Sequence, residues 1–237
     1  MSQLAVDGLL AERESFLAVL CTLTPDEWDA PSAEQSATVR DVVAHVASTH
    51  HRVVEPQAGE WPVEDALAEF DRYTAQSIAA LGALQAPPHA DRTIPMAHFG
   101  THRMSQLADL YLYDMYGHLR ADVLAPYGPV DRPEPPRDEA RVRPTVEWMI
   151  DALPCMVPAK LLEPPIDLEL DGPGGGTWAI TRDGVIVGRS TDAAATVRST
   201  DHEFVLWGTK RRSWREFAEV EGDATHAAKV LDAINII

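Results

Sequence analysis

Between positions 3 and 22, Leu4, Leu9, Leu10, Phe16, Leu17, Leu20 and Cys21 recur with a period of about 3.6 residues among Asp, Glu and Arg. This predicts an amphipathic helix that stops near Thr24-Pro25. Thr38, three residues before Asp41 and ahead of an apolar run, has the form of a capping box and starts a second helix that runs to Val54. Leu67, Phe70, Tyr73, Ile78 and Leu81 give helical spacing to the segment from Val63 to Leu84, and Pro87-Pro88 ends it. A fourth helix is predicted from Gly100 to Leu124, with Leu107, Leu110, Tyr111, Asp114, Met115 and His118 on its inner surface. Four helices joined by short loops make a bundle over residues 1–125.

Residues 126–137 are too rich in proline for regular structure and read as a stiff linker. The pattern changes after it. A helix from Asp138 to Leu153 and a shorter one before Pro164 precede strand-like runs at Ile166–Leu170, Thr177–Ile180, Val185–Val187 and Ala195–Val197. Turn signals separate them at Gly172–Gly176 and at Asp183-Gly184, the latter a hairpin signal. Helices at Phe204–Gly208 and Asp223–Ile234 complete a small α+β domain over residues 138–237. The fold class is therefore α plus α+β.

The chain has 237 residues, 45% of them hydrophobic and 24% charged, enough for a sizeable core. Its formal charge of −17 repels phosphate backbones and acidic lipid surfaces and argues against nucleic acid as a partner. Apolar stretches break off within about ten residues, short of the roughly 20 that cross a bilayer, and the acidic start lacks the basic region of a signal peptide. The expectation is a cytoplasmic protein. Cys21 and Cys155 are then expected as reduced, buried thiols.

Asp114 and His118 stand four apart on a helix, so both side chains leave one face and can reach a single metal ion. They lie among Leu110, Tyr111, Tyr113 and Met115, where an unpaired carboxylate is costly. An ion pair within the bundle satisfies the same spacing. His45, in the apolar run from Val42 to Ala47, is expected to point into the bundle and to complete a two-histidine, one-carboxylate set with open coordination positions. The competing histidines are placed elsewhere: His98 at or before a helix start, His50 and His51 at the polar end of the second helix, and His89, His202 and His226 on the surface. His102 shares the four-residue spacing with His98. Lys210, Arg211, Arg212 and Arg215, beside Trp207 and Trp214, form a basic patch that serves either as cations at a helix C-terminus or as an anion clamp.

The sequence resembles the mycothiol-dependent maleylpyruvate isomerase family, in which a DinB-like four-helix bundle precedes an α+β domain similar to sterol carrier proteins. The resemblance rests on Thr24–Trp28, Pro31-Ser32, Thr38–Ala47 and Asp114–His118 with Asp122, then on Trp178–Ile180, Trp207–Arg212 and Val220–Asp223. It implies zinc, or another divalent first-row metal, held by His45, Asp114 and His118, with Asp114 standing where characterised members often have Glu. It also implies mycothiol as cofactor, a small electrophile as substrate, an isomerase or thiol S-transferase reaction, and a catalytic arginine matched by Arg211 or Arg212. Two other readings stand beside it: a metal-activated-water hydrolase on the same ligands, and a non-enzymatic small-molecule binding protein.

Overall fold

The computed structural model describes residues 2–34, 37–57 and 65–236. The chain divides into two compact units, Met1–Arg92 with Arg103–Pro136 and Thr93–His102 with Arg137–Ile237.

The first unit is a helical bundle of α1 (Ser2–Leu20), a short α2 (Pro25–Trp28), α3 (Val39–Val54), α4 (Ala66–Ala83) and α5 (Leu107–Gly117). Its core draws Leu9, Phe16 and Leu20 from α1, Val42, Val43 and Val46 from α3, Phe70, Ile78 and Leu81 from α4, and Leu112 and Met115 from α5. Phe16 and Phe70 meet edge to face at 4.9 Å. Leu10, assigned to the inner surface by its spacing, is instead 48% exposed. Glu12 on the same helix is fully buried.

The expected cap of α3 is present in both directions. The Asp41 N–H donates to the Thr38 hydroxyl at 3.2 Å, and the Thr38 N–H donates to the Asp41 carboxylate at 2.8 Å. That backbone bond, with the Thr38 hydroxyl beside it, holds the Asp41 carboxyl below its ordinary value. Thr38→Ala is expected to cost about 1 kcal/mol, read as a lowered urea midpoint with an unchanged slope.

The fourth bundle helix starts later than its pattern predicts. Residues from Thr93 to Arg103 form a small hairpin of β1 (Thr93–Pro95) and β2 (Thr101–Arg103), with Gly100 at φ +96° where side chains are disfavoured. The helix then builds through a 3₁₀ turn, Met104–Gln106, whose Gln106 side chain accepts from the Arg103 N–H at 2.9 Å. At the other end α5 passes into a π-helical turn, His118–Val123, in which the Leu124 N–H reaches back five residues to the Leu119 carbonyl at 3.0 Å.

In the second unit α6 (Glu139–Met156) precedes a five-stranded sheet of β3 (Ile166–Asp171), β4 (Gly176–Thr181), β5 (Gly184–Val187), β6 (Ala195–Thr200) and β7 (Glu219–Gly222), ordered β5-β4-β3-β6-β7. Only the central β3–β6 pair is parallel; its register sets Ile166 opposite Ala195 and Leu168 opposite Val197. β7 falls in a stretch, Val220–Gly222, that the pattern leaves unassigned because Glu219 and Glu221 point its outer face to water. α7 (Asp201–Gly208), a short α8 (Trp214–Phe217) and α9 (Ala224–Ala233) complete the unit, with Phe204 and Trp207 buried among its core residues. The glycine-rich turn wraps a carboxylate: Gly174 N–H donates to buried Asp201 at 2.7 Å, and a side chain at Gly172 would strike the same group. Both cysteines are exposed, contrary to expectation, and both are free thiols. Among the described residues no helix is long and apolar enough to cross a membrane.

Candidate metal centre

His45 lies on α3 two turns beyond the Thr38 cap, Asp114 on the last turn of α5, and His118 at the junction of α5 with the π turn. The Nε2 atoms of His45 and His118 both face Asp114 Oδ1, at 3.8 and 3.5 Å. The two imidazoles meet edge to face at 5.0 Å. One ligand atom from each of the three residues lies within 4.8 Å of the others. Metal–ligand bonds of about 2.1 Å in a tetrahedral site separate neighbouring ligand atoms by roughly 3.4 Å, so these spacings suit one small divalent cation.

Exposure divides the set. The side chain of His45 is 56% exposed, that of Asp114 18% and that of His118 8%. His45 therefore does not point inward as its apolar neighbours suggest. Val42, Val43, Val46 and Ala47 fill the core, and the histidine takes the edge of that face, where it still reaches Asp114.

Three observations define the electrostatics. First, Asp114 Oδ2 is buried without a hydrogen-bond partner, which is costly for a carboxylate unless a cation neutralises it. Second, burial pushes the Asp114 carboxyl up, but the adjacent His118 and then His45 more than offset this and hold it far below the ordinary carboxylate range. A metal ion in the same place supplies the same positive charge. Third, His118 Nδ1 lies 2.7 Å from Asp122 Oδ2 in the interior. With a proton on Nδ1 donated to that carboxylate, Nε2 presents its lone pair toward Asp114, the usual arrangement of a metal-ligating histidine and its supporting carboxylate. The residues thus fit a divalent metal. Glu34, with His118 and Asp122, forms a second metal-competent group that shares His118.

A second layer lies behind the carboxylate. His50 and His51, expected in solvent, are buried because the polar end of α3 packs under α4 and α5: His50 hydrogen-bonds Ser77 and meets the Tyr111 ring at 5.0 Å, and His51 meets the Tyr73 ring at 4.6 Å. Burial lowers the His50 pKa to about 4, with Asp114 opposing the shift. Burial, and then Asp114, push the Tyr111 phenol up to about 12, while Arg52 opposes them. Elsewhere, His102 is buried against the Trp148 ring at 4.5 Å and bonds the Phe99 carbonyl at 2.8 Å. His202 is buried as well, in the first turn of α7, whereas His89 is exposed as expected and His226 is half-buried, bonding the Pro164 carbonyl. The side chain of His98 lies outside the described residues.

In the second unit, Arg211 and Arg212 line a cavity of about 370 Å³ with Trp207, Lys210, Trp214 and Arg215. The basic patch divides by role. Lys210 Nζ donates to the Asp232 and Leu231 carbonyls at 3.0 and 3.3 Å, capping the end of α9. Arg215 forks onto the Asp232 carboxylate at 2.7 and 2.9 Å, and with Trp214 it lowers that carboxyl to about 2. Arg212 has Glu216 at 3.6 Å.

The architecture is thus a helical bundle with a metal-competent two-histidine, one-carboxylate cluster, joined to an α+β unit with a mixed five-stranded sheet. Solved structures give that architecture a particular counterpart. The chain shares the fold of the mycothiol-dependent maleylpyruvate isomerase over 93% of both chains, with TM-score 0.52 and 12% identity, and of a histidine-to-alanine mutant of that enzyme with TM-score 0.51 and 11% identity. No family model matches the sequence, and no curated protein matches it.

Proposed function

We propose that this chain is a zinc-dependent enzyme that uses mycothiol to isomerise a small electrophilic substrate, or that joins the thiol to such a substrate through its sulfur. The observation that carries the reading is the convergence of His45, Asp114 and His118 around a buried carboxylate whose Oδ2 has no hydrogen-bond partner. The fold shared with a mycothiol-dependent isomerase supports the choice of thiol. When bound, zinc supplies a Lewis acid that keeps a coordinated thiol as thiolate near neutral pH.

The chain's own groups do the rest. Asp122 accepts a hydrogen bond from the Nδ1–H of His118 and so fixes its tautomer. Asp114 remains ionised. His45, partly in water, leaves one side of the cluster open to thiol and electrophile. Arg211 and Arg212 are assigned to an anionic group of the substrate, for which the guanidinium fork is suited.

The direct test is mycothiol titration of the cobalt-substituted protein. A saturable sulfur-to-cobalt charge-transfer band is expected. Turnover of an electrophile without thiol, and without that band, would favour the hydrolase. Absence of any metal would leave the small-molecule binding protein.

A further inference from the structure

Arg120 lies midway between His118 and Asp122 in the π turn, yet its side chain belongs to a separate network. The guanidinium is buried, pairs with the fully buried Glu12 of α1, and has Glu134 at 3.3 Å. It donates to the Pro136 carbonyl at 3.2 Å and reaches that of Pro135 at 3.5 Å. It also lies 3.9 Å over the Tyr116 ring. One side chain therefore ties the π turn to α1, to α5 and to the proline-rich segment.

Stability alone does not account for this arrangement, since apolar residues of similar volume commonly replace a buried ion pair without loss. What a buried guanidinium adds is direction, because its planar fork accepts partners only in a fixed plane. Direction matters here. A π turn has one residue more per hydrogen-bonded loop than the α-helix it interrupts, and such turns recur at functional sites. Without these tethers the turn could move relative to the rest of the bundle, shifting Asp122 against His118 and loosening the 2.7 Å contact that sets the histidine's tautomer.

We infer that Glu12 and Arg120 are positioning residues that anchor the π turn so that Asp122 stays in place to support His118. The consequence for metal affinity rests on the function proposed above; the consequence for His118 itself does not.

The test uses the full chain in three forms: wild type, Glu12→Gln, and the apolar double replacement Glu12→Leu with Arg120→Met. Arg13→Met serves as control, because Arg13 bonds Asp71 and Thr74 and ties α1 to α4 away from the π turn. Imidazole ¹⁵N shifts of the metal-free proteins report the His118 tautomer, and competition with a chelating dye reports zinc affinity. Wild type and Arg13→Met are expected to show Nδ1 protonated. The Glu12 and double variants are expected to show averaged tautomers and a zinc affinity lower by about 10- to 100-fold.

Unchanged His118 shifts in a folded double variant would overturn the proposal and reduce the pair to a structural contact. If the double variant does not fold, the Glu12→Gln spectrum decides by the same criterion. Should wild type bind no zinc, the metal function falls, while the His118 shifts still decide the positioning role.

Discussion

In the His118→Ala variant, zinc content is expected to fall from about one ion per chain to background, and turnover with it. His118 is the most buried of the three residues, and its loss also removes the imidazole that donates to the buried Asp122 carboxylate. Asp114 is left with the half-exposed His45 as its remaining imidazole partner in the cluster. Two ligands, one of them in water, do not compete with solvent and buffer for a divalent ion. His45→Ala is expected to remove the metal too, whereas Asp122→Asn should weaken it by about 10- to 100-fold without abolishing it. Elemental mass spectrometry on identically prepared proteins checks all three, with circular dichroism to establish folding. Zinc retained at wild-type stoichiometry in His118→Ala would move the metal away from this cluster.

The second large effect concerns acid. His50 is buried as the neutral imidazole with a pKa of about 4, against an ordinary value of 6.5. Below 6.5 the unfolded chain takes up a proton there that the folded chain refuses, so the unfolded state binds more protons and stability falls as pH drops. The contribution is whole above pH 6.5, is lost progressively down to about pH 4, and levels off below it. A shift of this size corresponds to roughly 3 kcal/mol. Urea midpoints of metal-free protein between pH 7 and 4 are expected to show this slope, and His50→Asn, which keeps a polar group for Ser77, should flatten it. An unchanged slope in that variant would assign the acid sensitivity to other groups.

Much of the architecture is legible because periodicity and caps act locally. The Thr38 cap, the α3 boundaries and the Asp183-Gly184 hairpin follow from neighbouring residues alone. The spacing of Asp114 and His118 is legible because residues four apart share one helix face, whereas His45 joins them from the exposed edge of α3 and not from the interior that its apolar neighbours suggest. What the pattern misses depends on partners far along the chain. Glu12 looks like a surface residue until Arg120, more than a hundred positions away, is brought against it. His50 and His51 look solvated because Thr49 and Arg52 flank them; only the packing of α4 supplies Ser77 and Tyr73. The late start of α5 turns on Gly100 and a hairpin that helical periodicity cannot register. In the basic patch all four cations line the cavity, and charge alone does not show that Lys210 and Arg215 also hold the end of α9.

The uneven exposure of the three ligands bears on how the protein would acquire its metal. Small zinc domains fold only as the ion arrives, because the ion replaces a missing core. This bundle has an apolar core of its own, and one arm of its cluster stands in water. An ion can therefore enter or leave through successive bonds, beginning at His45, while the helices stay assembled. On the proposed function, occupancy would then follow the free concentrations of competing ions, one first-row metal replacing another in the same folded chain.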